Sequence, residues 1–453
     1  MRYAIVSHVG DGLPFALRLK DEGHQVMLYV PDAPASYTHR EVGRGLIDKA
    51  ESLPQLLGWG AQDARTVYVA DLTHEGKTME ALRQRGCLVV GGGIFPDRLE
   101  CDREFGEKLA EACGMRAPET KHFGTITEAI AYIKAHPQDW YFKLDADISI
   151  SSTAHGEPDK IIPRLNALRK RYKDQLSNIL QECKEGIDVS TAAWWTGTDW
   201  LGPFEGTVEK KKLMNGEVGP STGCSGNVVW FYKDYPKIAR ELCFDAIGEA
   251  FRRLRAPAGI YDVNSIICKE DKLPYFLEWT PRFGYDADSL AQRSIQGELG
   301  EFYYNLATGR AAVFPVDTSM AQMSVRVCVP PYPWEQVHEL PSEKRDKASG
   351  AIGVPVGKID PTDLAQLYGG DGNQFIAYGV GLIQGELVVT EPSGIVGIVC
   401  ADGDDCERMN EDILDFIEDD LDVPDLTYRT DMGEALEKHI GEVQAMGYET
   451  GVL

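Results

Sequence analysis

The chain has 453 residues, 43% apolar and 26% charged, the balance of an ordinary soluble globular protein with length for about two to four domains. Lys and Arg number 46 against 71 Asp and Glu, a formal charge of −25 that repels phosphate backbones and argues against direct nucleic-acid binding. The ten cysteines and nine histidines are scattered without CxxC or zinc-site spacing, and no apolar run has membrane-span length, so a cytoplasmic protein with reduced thiols and no membrane contact is expected.

In chain order, Tyr3 to Val6 enters a strand directly in place of a signal peptide, Leu13 to Leu19 has helical periodicity, and Gln25 to Val30 is a second strand. This is a βαβ opening. Its turn, His8-Val9-Gly10-Asp11-Gly12, lacks the third glycine of a dinucleotide fingerprint, which favours a packing role over NAD binding. A strand at Thr66 to Ala70, a helix near Thr78 to Arg85 and a strand at Cys87 to Val90 complete a small open α/β unit over residues 1–97.

A helix within residues 101–121 ends at Gly114, and a second runs from Ile126 to His136. The strand Trp140 to Leu144 carries Lys143 among aromatic and apolar neighbours, a costly place for an ammonium unless an anion meets it or its stem lets it snorkel. The hydroxyl-bearing turn Ser149 to Gly156 follows, able to fold over phosphates through backbone N–H groups. A polar helix is expected from Lys160 to Leu180, then strand, linker and strand over Ile179 to Ser190. Glu209-Lys210-Lys211-Lys212 is either a solvated charge run or a site element. The stretch it runs into, Lys211 to Gly226, is so rich in glycine and hydroxyls that it reads as a loop whose backbone can approach a ligand closely.

A helix from Tyr235 to Leu254 and a hairpin from Gly259 to Glu278 lead to Glu278-Trp279-Thr280-Pro281-Arg282-Phe283-Gly284-Tyr285-Asp286. A strand end there delivers a carboxylate and the next loop a guanidinium, the hard oxygen and planar cation that a magnesium–phosphate site needs. From about residue 315 the pattern turns β-rich, with strands at Val325 to Val329, Phe375 to Tyr378, Glu386 to Thr390 and Ile395 to Cys400. Helices follow at Met409 to Asp419 and Met432 to Ala445, the second ending in a polar tail expected to be exposed.

Three motifs together resemble the ATP-grasp enzymes, and among them phosphoribosylamine–glycine ligase. The family's Glu-Phe-Asn-x-Arg-Phe-Gly stands here as Glu278-Trp279-Thr280-Pro281-Arg282-Phe283-Gly284. Its Gly-Pro-Asn-Thr-Gly-Gly-Met-Gly is similar to Gly219-Pro220-Ser221-Thr222-Gly223-Cys224-Ser225-Gly226, and its Arg-x-Asp-Ile-Gly to Arg429-Thr430-Asp431-Met432-Gly433. The resemblance implies an α/β and α+β chain with an ATP-grasp fold: a pre-ATP-grasp domain at 1–97, an ATP-grasp domain of two lobes at 98–314, and a β-rich domain at 315–453.

What the resemblance implies about the site follows residue by residue. Lys143, Ser151, Ser152, Arg103 and Lys108 would face the ATP phosphates, Glu182 the adenine hinge and Asp188 the ribose hydroxyls. Glu278 would hold Mg²⁺, with Mn²⁺ as a substitute. Thr280 stands where the family has Asn, and Asp262 or Asn264 would complete the metal site. Ser221, Thr222, Gly223, Arg282 and Gly284 would bind substrate, with Arg282 and Lys211 catalytic. The family's Gly-Gly-Arg-Glu-His and Gly-Pro-Glu-x-Pro-Leu elements are absent, so the partners expected are a small carboxylate, such as glycine or another small amino acid, and an amine other than phosphoribosylamine. The alternatives are an ATP-binding homologue without catalysis and a protein that keeps the fold alone.

Overall fold

The computed structural model describes residues 1–31, 39–144, 154–172, 174–333 and 350–453. The first strands, β1 (Arg2–Val6), β2 (Gln25–Tyr29), β3 (Asp48–Lys49), β4 (Val67–Ala70) and β5 (Leu88–Val90), form a parallel sheet in the order β3-β2-β1-β4-β5. Short apolar runs suit these strands because helices cover the faces of a parallel sheet. The helices are α1 (Leu13–Asp21), α2 (Leu53–Gly60), α3 (Gly76–Gln84) and α4 (Ile94–Cys101), followed by α5 (Arg103–Ala112).

A four-stranded sheet makes the small lobe, in the order β6 (Thr120–Phe123), β9 (Asn178–Glu182), β7 (Trp140–Leu144), β8 (Ala154–Gly156). Helices α6 (Ile126–Ala135) and α7 (Pro158–Tyr172) close over it on a core of Ile126, Ile130, Ile133, Trp140, Phe142 and Leu180. The α6 start is a reciprocal capping box between Thr125 and Glu128, worth about 1 kcal/mol. The expected helix to Leu180 stops at Tyr172, because Asn178–Glu182 is one of the two inner strands of this sheet, paired with β6 on one side and β7 on the other.

An antiparallel sheet of eight strands is the spine: β14 (Pro274–Thr280), β13 (Gly259–Cys268), β10 (Gly186–Trp195), β11 (Trp200–Met214), β12 (Val218–Phe231), β15 (Ala321–Cys328), β19 (Ile395–Gly403) and β16 (Phe375–Ala377). The glycine-rich segment expected to be a loop is thus most of strand β12, in a hairpin with β11. The composition still acts locally. Lys210 pairs with Gly226 but Lys212 with Ser221, so five steps along β12 face two along β11, and the surplus residues bulge out.

Helices α8 (Lys237–Glu241), α9 (Phe244–Leu254), α10 (Tyr285–Arg293) and α11 (Leu299–Ala307) pack around the spine. On α9, Phe244, Ile247, Ala250 and Phe251 repeat at three- and four-residue steps and are buried. The C-terminal region adds α12 (Ala365–Tyr368), the hairpin β17 (Val380–Ile383) with β18 (Glu386–Val389), and helices α13 (Cys406–Asp419) and α14 (Met432–Ala445). The tail after α14 is not exposed as expected: Tyr448 and Thr450 are buried, and Tyr448 donates a hydrogen bond to Lys272 O. No helix among the described residues is long and apolar enough to cross a membrane.

An aromatic cluster joins the N-terminal sheet to the spine. Trp194 of β10 meets Phe283, Phe302, Tyr303 and Phe314, and Phe283 meets Phe15 of α1. Burial of such rings, at about 25 cal/mol per Å² of apolar surface, anchors the loop that carries Arg282.

Candidate active site

Strand pairing decides which side chains share the cleft face of the spine. Two rungs cross it, Thr207–Ser190–Asn264–Glu278 and Glu205–Ala192–Asp262–Thr280. Side chains alternate along a strand, so Glu209 and Lys211 stand on the same face farther along β11. Residues from four strands therefore meet on one surface.

Three cations converge on Glu278. Arg103 at the start of α5 lies 3.8 Å from its carboxylate, while Lys143 comes from the small lobe and Lys211 from β11. Burial pushes the Glu278 pKa up, but Lys143, Arg103, Lys211 and Arg282 outweigh it and hold the carboxyl below its usual range. Lys143 is pulled down by burial, against the charge of Glu278 and with the help of Arg103 and Lys211. Its Nζ donates to Gln181 Oε1 at 3.2 Å, a neutral partner, and the ammonium is thus short of anions. Lys211 lies 3.8 Å from Glu209; burial lowers it, but Glu209, Glu278 and Asp188 hold it above the usual range.

The expected metal donors are adjacent but unequal. Asn264 Nδ2 donates to Thr280 Oγ1 at 2.7 Å and to Asp262 Oδ2 at 3.1 Å, and Ser190 Oγ donates to Asn264 Oδ1 at 2.6 Å. Asn264 and Thr280 thus satisfy each other. Asp262 Oδ1 is buried without a hydrogen-bond partner among the described residues. Burial, then the charge of Glu209, raises the Asp262 pKa to about 7, although Arg282 and Ser190 act the other way. Magnesium usually takes one or two carboxylates beside phosphate and water oxygens. Glu278 and the under-partnered Asp262 fit that requirement.

The remaining expected residues divide. Glu182 ends β9 at the passage between the lobes, with Oε1 on Lys184 Nζ at 3.0 Å. Asp188 projects an exposed carboxylate, while its backbone oxygen is held by His439 Nε2 at 2.8 Å. Lys108 pairs with Glu104 on the exposed side of α5, whereas Glu107 is the α5 acid that Lys143 senses. Ser151 and Ser152 lie outside the described residues. In the β12 bulge Thr222 is buried, donating to Lys211 O at 2.9 Å and meeting Ser225 Oγ at 3.0 Å, while Ser221 is half-buried and Gly223 exposed at the tip. Arg282 Nε is shared by the two Glu100 oxygens at 2.9 and 3.2 Å, and its Nη1 donates to Phe283 O. Gly284 caps the N-terminus of α10 with room beside its Cα.

Sequence reasoning missed the acids behind this surface. Glu205 is buried, with Oε2 lacking a partner among the described residues; burial and then Asp288 and Asp262 hold its pKa well above the usual range. Asp286 and Arg326 form a buried bidentate pair beside Cys224. Only a strand pattern assigned to β11 would have drawn out Glu205, through its alternation with Glu209.

No family model matches the chain, and no curated protein matches it. Solved structures do match. Phosphoribosylamine–glycine ligase from Thermotoga maritima is 18% identical with a TM-score of 0.68, over 95% of this chain and 100% of that one. Biotin carboxylase from Campylobacter jejuni is 11% identical with a TM-score of 0.63, over 99% and 97%. N5-carboxyaminoimidazole ribonucleotide synthetase from Thermotoga maritima is 16% identical with a TM-score of 0.55, over 93% and 99%. The chain shares their fold along nearly its whole length, the ATP-grasp arrangement of an open α/β unit, two lobes and a β-rich C-terminal part.

Proposed function

We propose that this chain is an ATP-dependent carboxylate–amine ligase, with domains at 1–97, 98–314 and 315–453. The observation that carries the reading is the convergence of Lys143, Arg103 and Lys211, from three separate elements, on one low-pKa carboxylate at a cleft between lobes. Such a cluster suits a polyphosphate with a divalent ion better than any neutral ligand. Lys143 and Arg103 face the phosphates, Glu182 lies beside the adenine and Asp188 receives the ribose hydroxyls. Glu278 and Asp262 would hold magnesium or manganese, which would supply charge neutralisation of phosphoryl oxygens when bound.

A substrate carboxylate oxygen attacks the γ-phosphorus, the bond to the bridging oxygen breaks, and ADP leaves. The amine nitrogen then attacks the acyl carbon, phosphate departs, and one proton is lost as the amide forms. Lys211 stabilises charge on the transferring group, and Arg282 orients the carboxylate with the Ser221–Gly223 bulge beside it. Glycine or another small amino acid is the carboxylate, and the amine is not phosphoribosylamine. With ATP, Mg²⁺ and hydroxylamine, the protein is expected to release ADP with at least one member of an amino-acid panel; no release with any of them overturns the reading.

One observation favours a second reading. Asn264 and Thr280 satisfy each other's hydrogen bonds where the family has an Asn ligand, which suits a homologue that binds ATP without turnover. Saturable ATP·Mg binding with no ADP release would select it.

A further inference from the structure

The strand order β3-β2-β1-β4-β5 reverses direction between β1 and β4, and in open α/β sheets that reversal leaves a crevice outside the carboxyl ends of the two strands. The turn after β1 and the segment after β4 face each other there. Gly10, at φ +96°, lets the turn double back so that the Gly10 and Gly12 amides both donate to Ser7 Oγ, at 3.1 and 3.0 Å. Ser7 Oγ donates its own hydrogen bond to Asp71 Oδ2, whose residue is 1% exposed, and Phe283 N donates to Asp71 O at 3.0 Å. The crevice therefore abuts the Arg282 loop.

This frame leaves three buried polar atoms without hydrogen-bond partners among the described residues: Asp11 Oδ2, His8 Nδ1 and, on α10, Asp288 Oδ1. Asp288 is 4% exposed. The His8 ring stacks on His74 at 5.2 Å, which fixes its plane. Buried acceptors without donors are costly, and a ligand carrying N–H groups relieves that cost. An anionic ligand does not. Of the two guanidiniums that act on Asp11, Arg326 is held in the buried pair with Asp286, and Arg282, on Glu100, is the one assigned above to the substrate carboxylate. Burial raises the Asp11 pKa, which a cation brought to the carboxylate counteracts, and lowers that of His8, which favours the neutral ring that can accept a hydrogen bond.

We propose that this crevice is the acceptor pocket and takes an unphosphorylated, positively charged amine, with Asp11 and Asp288 on the ammonium and His8 accepting from a neighbouring N–H or O–H. The amine's reaction rests on the ligase reading; its binding does not. Two matched pairs test the pocket by calorimetric titration into the full chain without nucleotide: ethanolamine against phosphoethanolamine, and glucosamine against glucosamine 6-phosphate. In at least one pair the unphosphorylated amine is expected to bind at least about tenfold more tightly, and Asp11→Asn to weaken it by at least about tenfold. Tighter binding of the phosphorylated members, unchanged affinity in a folded Asp11→Asn, or no binding of either free amine at millimolar concentration each overturns the proposal. The comparison on the unaltered chain decides the matter even if the variant does not fold. With nucleotide absent, the result is independent of the hydroxylamine assay.

Discussion

Replacing Arg429 with alanine tests how the C-terminal region holds the site. The guanidinium is 1% exposed; Nε and Nη2 lie on Asp431 at 2.8 and 2.9 Å, and Nη1 on Glu217 at 2.6 Å and Lys212 O at 3.0 Å. Asp431 also accepts from Gly216 N at 2.7 Å, so one side chain pins the β11–β12 turn to the segment before α14. Removing one partner of a fully buried pair costs about 3–5 kcal/mol. Here Asp431 and Glu217 are 22% and 46% exposed and can rehydrate. The expected loss is therefore about 2–3 kcal/mol, felt locally. A 453-residue chain of several units does not unfold in one step, so amide hydrogen exchange is the assay. The amides of the turn and of Lys211 should exchange about 30- to 150-fold faster in Arg429→Ala. Arg429→Lys should recover only part, because an ammonium cannot span both acids. Exchange within about threefold of the original chain would refute the pinning and detach Lys211 from any influence of the C-terminal region.

Glu278→Gln keeps the shape and removes the charge facing the three cations; ATP binding with Mg²⁺ should weaken at least about tenfold, while binding in EDTA should hold or tighten, as titration under both conditions will show. Asp288, raised by burial to about 8 despite its Gln292 hydrogen bond, binds a proton in the folded chain that the unfolded chain releases near pH 4. Stability from this group is thus greatest at low pH and falls from about pH 4 to about pH 8, and Asp288→Asn should flatten that part of the denaturation profile. Gly226→Ala places a Cβ 2.7 Å from Met432 Sδ and 2.8 Å from Ser324 O, an overpacking of about 1–3 kcal/mol that a lowered Tm should report.

Much of the fold was legible because local pattern and tertiary role agreed. The strands Arg2–Val6 and Trp140–Leu144 and the helix Met432–Ala445 have strong periodicity and clear ends. Three residues singled out in the sequence, Glu278, Lys143 and Lys211, come close enough for both lysine charges to act on the carboxylate, and their role there belongs to the proposed function. Failures came where long-range pairing overrode composition. Val218–Phe231 carries glycines and a proline that locally spell a loop, but β11 pairs along it and β15 joins at Gly226–Val229, which holds it as a strand. Helix α10 begins at Tyr285, within the stretch read as a site loop, and its buried Asp286 and Asp288 look like solvent-facing acids in the sequence. The Arg282–Glu100 pair joins residues 182 positions apart, and no local signal marks it.

The period of two along β11 and β13 has a consequence for how two substrates meet. The face that presents Lys211 and Glu278 toward the proposed nucleotide site also presents Glu205 farther along β11 and Asp262 on the rung next to Glu278, because side chains two residues apart on a strand point the same way. Glu205 couples to Asp288, and Asp288 to Asp71, so the acids continue without interruption into the crevice above β1 and β4. One sheet face thus changes from cation-rich to acid-rich over a few residues. On the two proposals above, an anionic phosphate chain belongs at one end and a protonated amine at the other; Arg282, which acts on both Asp262 and Asp11, lies where the two regions join. Sorting the reactants by charge in this way does not depend on the net charge of −25, whose repulsion of ATP is screened beyond about 8 Å at physiological salt. The local arrangement alone has to select each reactant, and the two ends of the face differ in the property that would do so.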